Sequence, residues 1–197
     1  MKYTSAGATI SACGAYRYSL WREWRGTPNA RWKMWFHDDG SPVLDGAGAQ
    51  LGEPETATFI MLNPSTADGK SDDPTIRRCV AFARSWGYDR MVAVNLFAFR
   101  ATSPRDLLRL THHDNPVGIN NSHYVTLAAE QDGVVVCAWG AHGSHLGQDE
   151  TILGWLQPHS TFCLGRTKDG HPRHPLYVAS NAELTPFNGR SQPPVPK

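Results

Sequence analysis

Asn63, Asn95, Trp139 and a pair of histidines, His171 and His174, are the residues of this chain best suited to chemistry. Each stands at or just past the end of an apolar run. Asn63 closes Thr58-Phe59-Ile60-Met61-Leu62 and is followed by Pro64-Ser65. Asn95 interrupts Met91-Val92-Ala93-Val94 before Leu96. Trp139-Gly140 ends Val134-Val135-Val136-Cys137-Ala138, and His171-Pro172-Arg173-His174-Pro175-Leu176 comes shortly after Thr161-Phe162-Cys163-Leu164-Gly165. A carboxamide can orient a water or a carbonyl through its donor and acceptor halves. An imidazole suits a developing oxyanion or a leaving group. Plainer roles compete: an Asx turn at Asn63, a strand-end amide at Asn95, packing beneath the sheet at Trp139 and a stiff turn at 171–176.

Runs this apolar fit strands buried on both faces, hence a mainly parallel sheet covered by helices. Ligands of such sheets sit beyond the carboxyl ends of the strands, so the four segments would converge on one crevice. The pattern predicts strands at 57–62, 91–96, 134–138 and 161–165. Asp73-Pro74 opens a helix to about Trp86, stopped by Gly87, with Asp73 as N-cap and Pro74 at the first helical position. Ser103-Pro104-Arg105-Asp106 reads as a second cap resembling a capping box, and Asn115-Pro116 as a third that opens a helix to about Gln131. A last helix covers 148–156. The fold class is α/β: a three-layer α/β/α sandwich around a central, mainly parallel four-stranded sheet.

Residues 1–56 read as an N-terminal β extension and loop, 57–187 as the core of the same single domain, and 188–197 as a polar, Pro-rich, disordered tail. In the extension, aromatic and basic residues alternate across 9–36, which predicts one or two strands of a β-hairpin around Gly26-Thr27-Pro28-Asn29. Charge is polarised: six Lys or Arg against one acidic residue over 1–36, then eight acidic residues against one Lys over 37–73. The net charge of +1 excludes a uniformly basic protein but leaves room for a basic patch. The four cysteines are widely spaced, unlike a disulfide framework or a zinc or iron–sulfur set, and read as reduced, buried thiols. His142, His145, His112 and His113 read as surface histidines. Neither a signal peptide nor the roughly 20-residue apolar run of a membrane span is visible, so a cytoplasmic protein without a membrane partner is expected. No Gly-rich phosphate loop and no Ser-His-Asp arrangement is apparent.

Together the four segments resemble the uracil-DNA glycosylase superfamily. Met61-Leu62-Asn63-Pro64-Ser65 is similar to its first motif, whose Asn or Asp positions the attacking water. Val94-Asn95-Leu96 resembles the strand whose Asn reads the pyrimidine edge. Cys137-Ala138-Trp139-Gly140-Ala141-His142 is close to its apolar-Trp-Gly pattern, and 171–177 resembles a variant of the final His-Pro motif, whose His stabilises the departing base. The chain also resembles an uncharacterised bacterial and phage family. It carries that family's pattern as Leu-Asn-Pro-Ser-Thr-Ala-Asp at 62–68, Asp-Asp-Pro-Thr-Ile-Arg-Arg-Cys at 72–79 and Arg-His-Pro-Leu-Tyr at 173–177. The position of the superfamily's first Gly is Met61 here, and no iron–sulfur cysteines are present.

The resemblance implies hydrolysis of the N-glycosidic bond of a flipped uracil or 5-modified pyrimidine in DNA. A monomer without cofactor or metal is expected. The resemblance assigns catalysis to Asn63 and His174, with His171 as second choice. Asn95, Phe97, Trp139, Met61 and Pro64 would contact the base, Phe97 or Phe99 supplying the stacking ring. Arg77, Arg78, Arg100, Arg173 and Lys168 would contact DNA. Two other readings remain: a nucleotide- or DNA-base-modifying enzyme on the same fold, and a non-catalytic nucleic-acid-binding module.

Overall fold

A computed structural model describes residues 2–24, 54–65, 68–69 and 71–189. In chain order the strands are β1 (Ser5–Ile10), β2 (Arg17–Glu23), β3 (Thr56–Met61), β4 (Arg90–Asn95), β5 (Gly133–Cys137), β6 (Thr161–Cys163) and β7 (Thr185–Pro186). The helices are α1 (Pro74–Ser85), α2 (Pro104–Leu108), α3 (Asn121–Ala129) and α4 (Gln148–Trp155). All seven strands form one sheet in the order β1-β2-β4-β3-β5-β6-β7. The centre, β4-β3-β5-β6, is parallel, as the apolar runs predict. The sheet exceeds the expected four strands because β1-β2 joins one edge antiparallel and the short β7 joins the other.

The N-terminal hairpin therefore extends the sheet itself. Its turn lies between β1 and β2, where Ser11 N–H donates to the Tyr16 carbonyl. The turn expected around Gly26 falls outside the described residues, as does most of the loop to residue 56. At the other end, the Gly189 carbonyl accepts from Arg166 Nη1 at 2.7 Å, so the chain stays anchored past 188, and the tail beyond lies outside the described residues.

Strand alternation sorts the core into two clusters. Phe59, Met61, Met91, Ala93 and Val136 meet Ile76, Cys79, Val80 and Ala83 of α1. Ile60, Val92, Val94, Val135 and Cys137 meet Val125 and Ala128 of α3 and Ile152 of α4. The α1 boundary follows the expected chemistry, with the Asp73 carboxylate accepting from Ile76 N–H at 2.8 Å. Helix α3 begins at Asn121 rather than Pro116. Asn115 is left-handed (φ 49°), and the carbonyls of Pro116 and Val117 are taken by Phe99 and Ala98 N–H, so 115–118 runs as a strap along the end of β4. Ser103 caps α2, but the reciprocal box lies at Thr111–Asp114. Cys79, Cys137 and Cys163 are buried free thiols, whereas Cys13 is exposed. No helix among the described residues is long and apolar enough to cross a membrane.

The position of the β3–α1 connection is set by a buried cation. Arg22 is 1% exposed and pairs through Nε with Asp72 at 2.7 Å. Its Nη2 donates to the carbonyls of Asp68 and Ser71, and its Nη1 to those of Trp21 and Gly7. Tyr3 hydroxyl donates to the other Asp72 oxygen at 2.5 Å, and burial together with that carboxylate pushes the phenol pKa up to about 12. Removing one partner of a buried pair strands the other charge. Arg22→Ala should therefore cost about 3–5 kcal/mol of unfolding free energy, and Tyr3→Phe only about 1 kcal/mol. Denaturant titration measures both, and a loss near zero for Arg22→Ala would refute the clamp.

Candidate active site

The connections leaving β3 and β5 set the place of the crevice. From β3 the chain crosses to β4 on one side, then returns past β3 to β5 on the other. Open α/β sheets bind ligands at such a switch point, beyond the carboxyl ends of the two strands concerned. A cavity of about 770 Å³ lies there, floored by Met61, Leu62 and Asn63 from β3 and by Trp139, Gly140 and Ala141 from β5. That volume falls within the range of small-molecule sites.

Asn63 is held by its donor half. Its Nδ2 donates to the Ala101 carbonyl at 2.8 Å and the Pro64 carbonyl at 3.1 Å. With both amide protons committed, the orientation of the carboxamide is fixed and Oδ1 remains as an acceptor. Pro64 itself is buried outside the lining, and its carbonyl accepts Ala101 N–H, joining the two loops. Ser65, also in the wall, donates to Asp73 Oδ2. The carboxylate that caps α1 thus also fixes a cavity hydroxyl, and Thr75 of the first helical turn lines the same wall.

His174 lines the cavity; His171 does not. His171 is buried below, with Nδ1 lacking a hydrogen-bond partner among the described residues. His174 begins a 3-10 turn, and its Nδ1 accepts Leu176 N–H at 3.3 Å. An Nδ1 that accepts carries no proton, so the neutral ring holds its proton on Nε2 and has a donor to offer. Burial pushes its pKa below the ordinary value, partly opposed by the nearby Asp73 carboxylate. The segment is tied to the Trp139 turn: Gly140 N–H donates to the Pro172 carbonyl at 3.0 Å, and Gly140 has φ +77°, which favours glycine. Trp139 packs at right angles to Phe187, as its plainer role predicts, and also lines the cavity. A Cβ at Gly143 would fall 2.1 Å from Trp139 Cδ1, so that glycine lets the indole lie flat against the chain.

The cations separate into two groups. Lys168 and Arg173 are exposed and line the cavity, Arg173 being steadied by Nε donation to the Arg166 carbonyl at 3.1 Å. Arg78 is turned to the fold: Nη2 donates to the Val178 carbonyl at 2.7 Å and the guanidinium lies over Phe82, so it fastens α1 to the turn that carries His174. Arg77 reaches the Asp72 carbonyl and Arg100 the Gly14 carbonyl, both away from the lining. Asn95 and Phe97 are likewise outside the wall. β4 lies on the far side of β3 from the switch point, and Phe97 is fully buried against His145. Asn95 pairs in register with Met61, is 1% exposed, and neither side-chain amide atom has a hydrogen-bond partner among the described residues.

Arg17 belongs to the aromatic-basic N-terminal stretch, and its sequence position alone does not mark it as a cavity residue. Because β2 runs antiparallel to β4, its first residue comes to the carboxyl end of the central strands, and Arg17 N–H donates to the Ala98 carbonyl there. The side chain lines the cavity while the residue is only 3% exposed. The aromatic-basic alternation of 16–25 was the available signal, but sequence does not give strand order.

The depressed His174 pKa means that the neutral ring is the folded-state form, so its stabilising contribution is complete above about pH 6.5 and is lost as pH falls through the folded value. NMR titration should place His174 below 6.5. Asp73→Asn preserves the helix cap but removes the opposing charge, and should lower the His174 value further; an unchanged or higher value would refute the coupling.

No match is found among curated proteins or among solved structures. Residues 49–176, more than half the chain and including Asn63, Trp139 and His174, match the family model described as "Protein of unknown function (DUF1643)". The chain belongs to that family.

Proposed function

We propose that the chain is a glycosylase-like hydrolase that cleaves the N-glycosidic bond of a flipped uracil or 5-modified pyrimidine in DNA, on a three-layer fold of the uracil-DNA glycosylase kind. One observation carries this reading: an oriented Asn63 carboxamide and a neutral His174 face the same cavity at the switch point of the sheet. Asn63 Oδ1 holds a water over the sugar's anomeric carbon. As the bond breaks, the sugar becomes oxocarbenium-like and negative charge grows on the base. His174 Nε2–H donates to the base oxygen that gathers this charge. An amide is a weak base, so the rate depends chiefly on stabilising the departing anion.

The unpartnered Asn95 amide, in register with Met61, supports a role in reading the carbonyl and imide edge of the base. The flexible Met61 side chain would yield to admit that edge. Trp139 walls the pocket, and Lys168 and Arg173 face the strand's phosphates.

His174→Ala should slow single-turnover excision from a uracil- or hydroxymethyluracil-containing duplex by about 10²-fold or more. Unchanged excision by a folded variant would remove His174 from the mechanism. For Asn95→Leu, replacing unsatisfied polar atoms with an apolar side chain of similar size should leave stability unchanged or raised, while excision falls. A variant that loses stability in denaturant titration but keeps its excision rate would give Asn95 a structural role instead.

A further inference from the structure

Asn63-Pro64-Ser65 sets two polar side chains on one wall of the cavity. Asn63 and Ser65 line it, while Pro64 between them is buried in the fold, so both side chains leave the chain on the same side. The segment is fastened along its length. Asn63 Nδ2 donates to the Ala101 carbonyl, the Pro64 carbonyl accepts Ala101 N–H, and the Ser65 hydroxyl donates to Asp73 Oδ2. A serine hydroxyl has a single proton. With that proton given to Asp73, Ser65 Oγ has only lone pairs left to present. Asn63, with both amide protons committed, likewise presents Oδ1 as an acceptor. Two acceptors two residues apart match the two O–H donors of one water molecule. Asn63 can orient that water but is too weak a base to take its proton. A carboxylate can take it. Asp73 is absent from the described lining and is joined to it by the Ser65 hydroxyl, while its Oδ1 is held in place by Ile76 N–H at 2.8 Å.

We propose that Ser65 is a second holder of the attacking water and that Asp73 withdraws the water's proton through the Ser65 hydroxyl. This rests on the glycosylase-like reading for the bond that is cleaved. The water oxygen bonds to the anomeric carbon as the C–N bond breaks, and the electron pair of that bond leaves with the base. One water proton passes to Ser65 Oγ, and the proton Ser65 held passes to Asp73 Oδ2. Asp73 then returns its proton to solvent, and the departed base takes one up. The Asp73 carboxylate also bears on the His174 ring. Neutralising it during the step withdraws a negative charge from the neighbourhood in which the departing base gathers one.

Single-turnover excision from a uracil- or hydroxymethyluracil-containing duplex, run in light and in heavy water, tests the relay. The wild-type protein should be slower in heavy water, because protons move in the step. Ser65→Ala should slow excision by about tenfold, the worth of one hydrogen bond to the water, and should lose the solvent isotope effect, which a role in packing alone would leave in place. Ser65→Thr keeps the hydroxyl and should restore most of the rate and of the isotope effect. Because Asn63 and Ser65 hold one water, Asn63→Ala and Ser65→Ala together should cost less than the product of their separate losses. Unchanged excision by folded Ser65→Ala, separate losses that simply multiply, or a wild-type protein without a solvent isotope effect would overturn the relay and leave the glycosylase reading standing. The isotope effect in the wild type decides the matter even if Ser65→Ala does not fold. A wild-type protein that frees no base from either duplex would sink the glycosylase reading, and the relay with it.

Discussion

The clamp between Arg22 and Asp72 is the interaction on which the site's geometry depends. The β3–α1 connection is rich in polar residues and has little apolar surface to hold it in place. Arg22 supplies the anchor from β2, with donors to Asp72, Asp68 and Ser71. Its rigid fork satisfies several acceptors at once, which a lysine ammonium would not reproduce. Two adjacent carboxylates then do different work. Asp72 faces Arg22 and Tyr3 and fixes the loop. Asp73, one residue on, caps α1, holds Ser65 and bears on both Arg17 and His174. The clamp sets the position of the first, and peptide geometry delivers the second to the cavity.

A further set of ties fixes the opposite wall. Gly140 N–H binds the Pro172 carbonyl, and Arg78 grips the carbonyl of Val178 from α1. The His174 turn is thereby held between the end of β5 and the start of α1. With Nδ1 occupied by Leu176 N–H, the ring cannot rotate without losing a hydrogen bond. Prolines at 172 and 175 restrict the same stretch before folding, which lowers the entropy lost in ordering it.

Much of the central framework was legible because buried parallel strands and capped helices leave strong local marks. The four central strands agree with expectation to within a residue or two at each end, and Asp73-Pro74 marked α1. The cavity residues Asn63, Trp139 and His174 were legible for the same reason, since strand ends in such sheets point to one edge. What failed was information that no local pattern contains. The antiparallel attachment of β2 brought Arg17 into the wall and Arg22 under the loop. The position of β4, beyond β3 from the switch point, took Asn95 and Phe97 out of the wall. Asn115-Pro116 carries the signature of a helix start, but the carbonyls of Pro116 and Val117 are claimed by Phe99 and Ala98 N–H, just past β4. Arg78 looked like a cation for a partner and proved to be a fastener within the fold.

The distribution of charge across the cavity separates two tasks. The groups to which the proposed function gives the chemistry, Asn63 and His174, are neutral and oriented by backbone hydrogen bonds. The cations Arg17, Lys168 and Arg173 line the same wall, which has no carboxylate among its described residues. A neutral donor gains strength as charge develops on its partner, so it favours the transition state over the ground state. A fixed cation attracts an anionic ligand throughout the reaction and mainly aids binding. Were His174 protonated, it too would act as a fixed charge, and under the proposed function it would hold the anionic product. Burial works against that protonation and keeps His174 neutral.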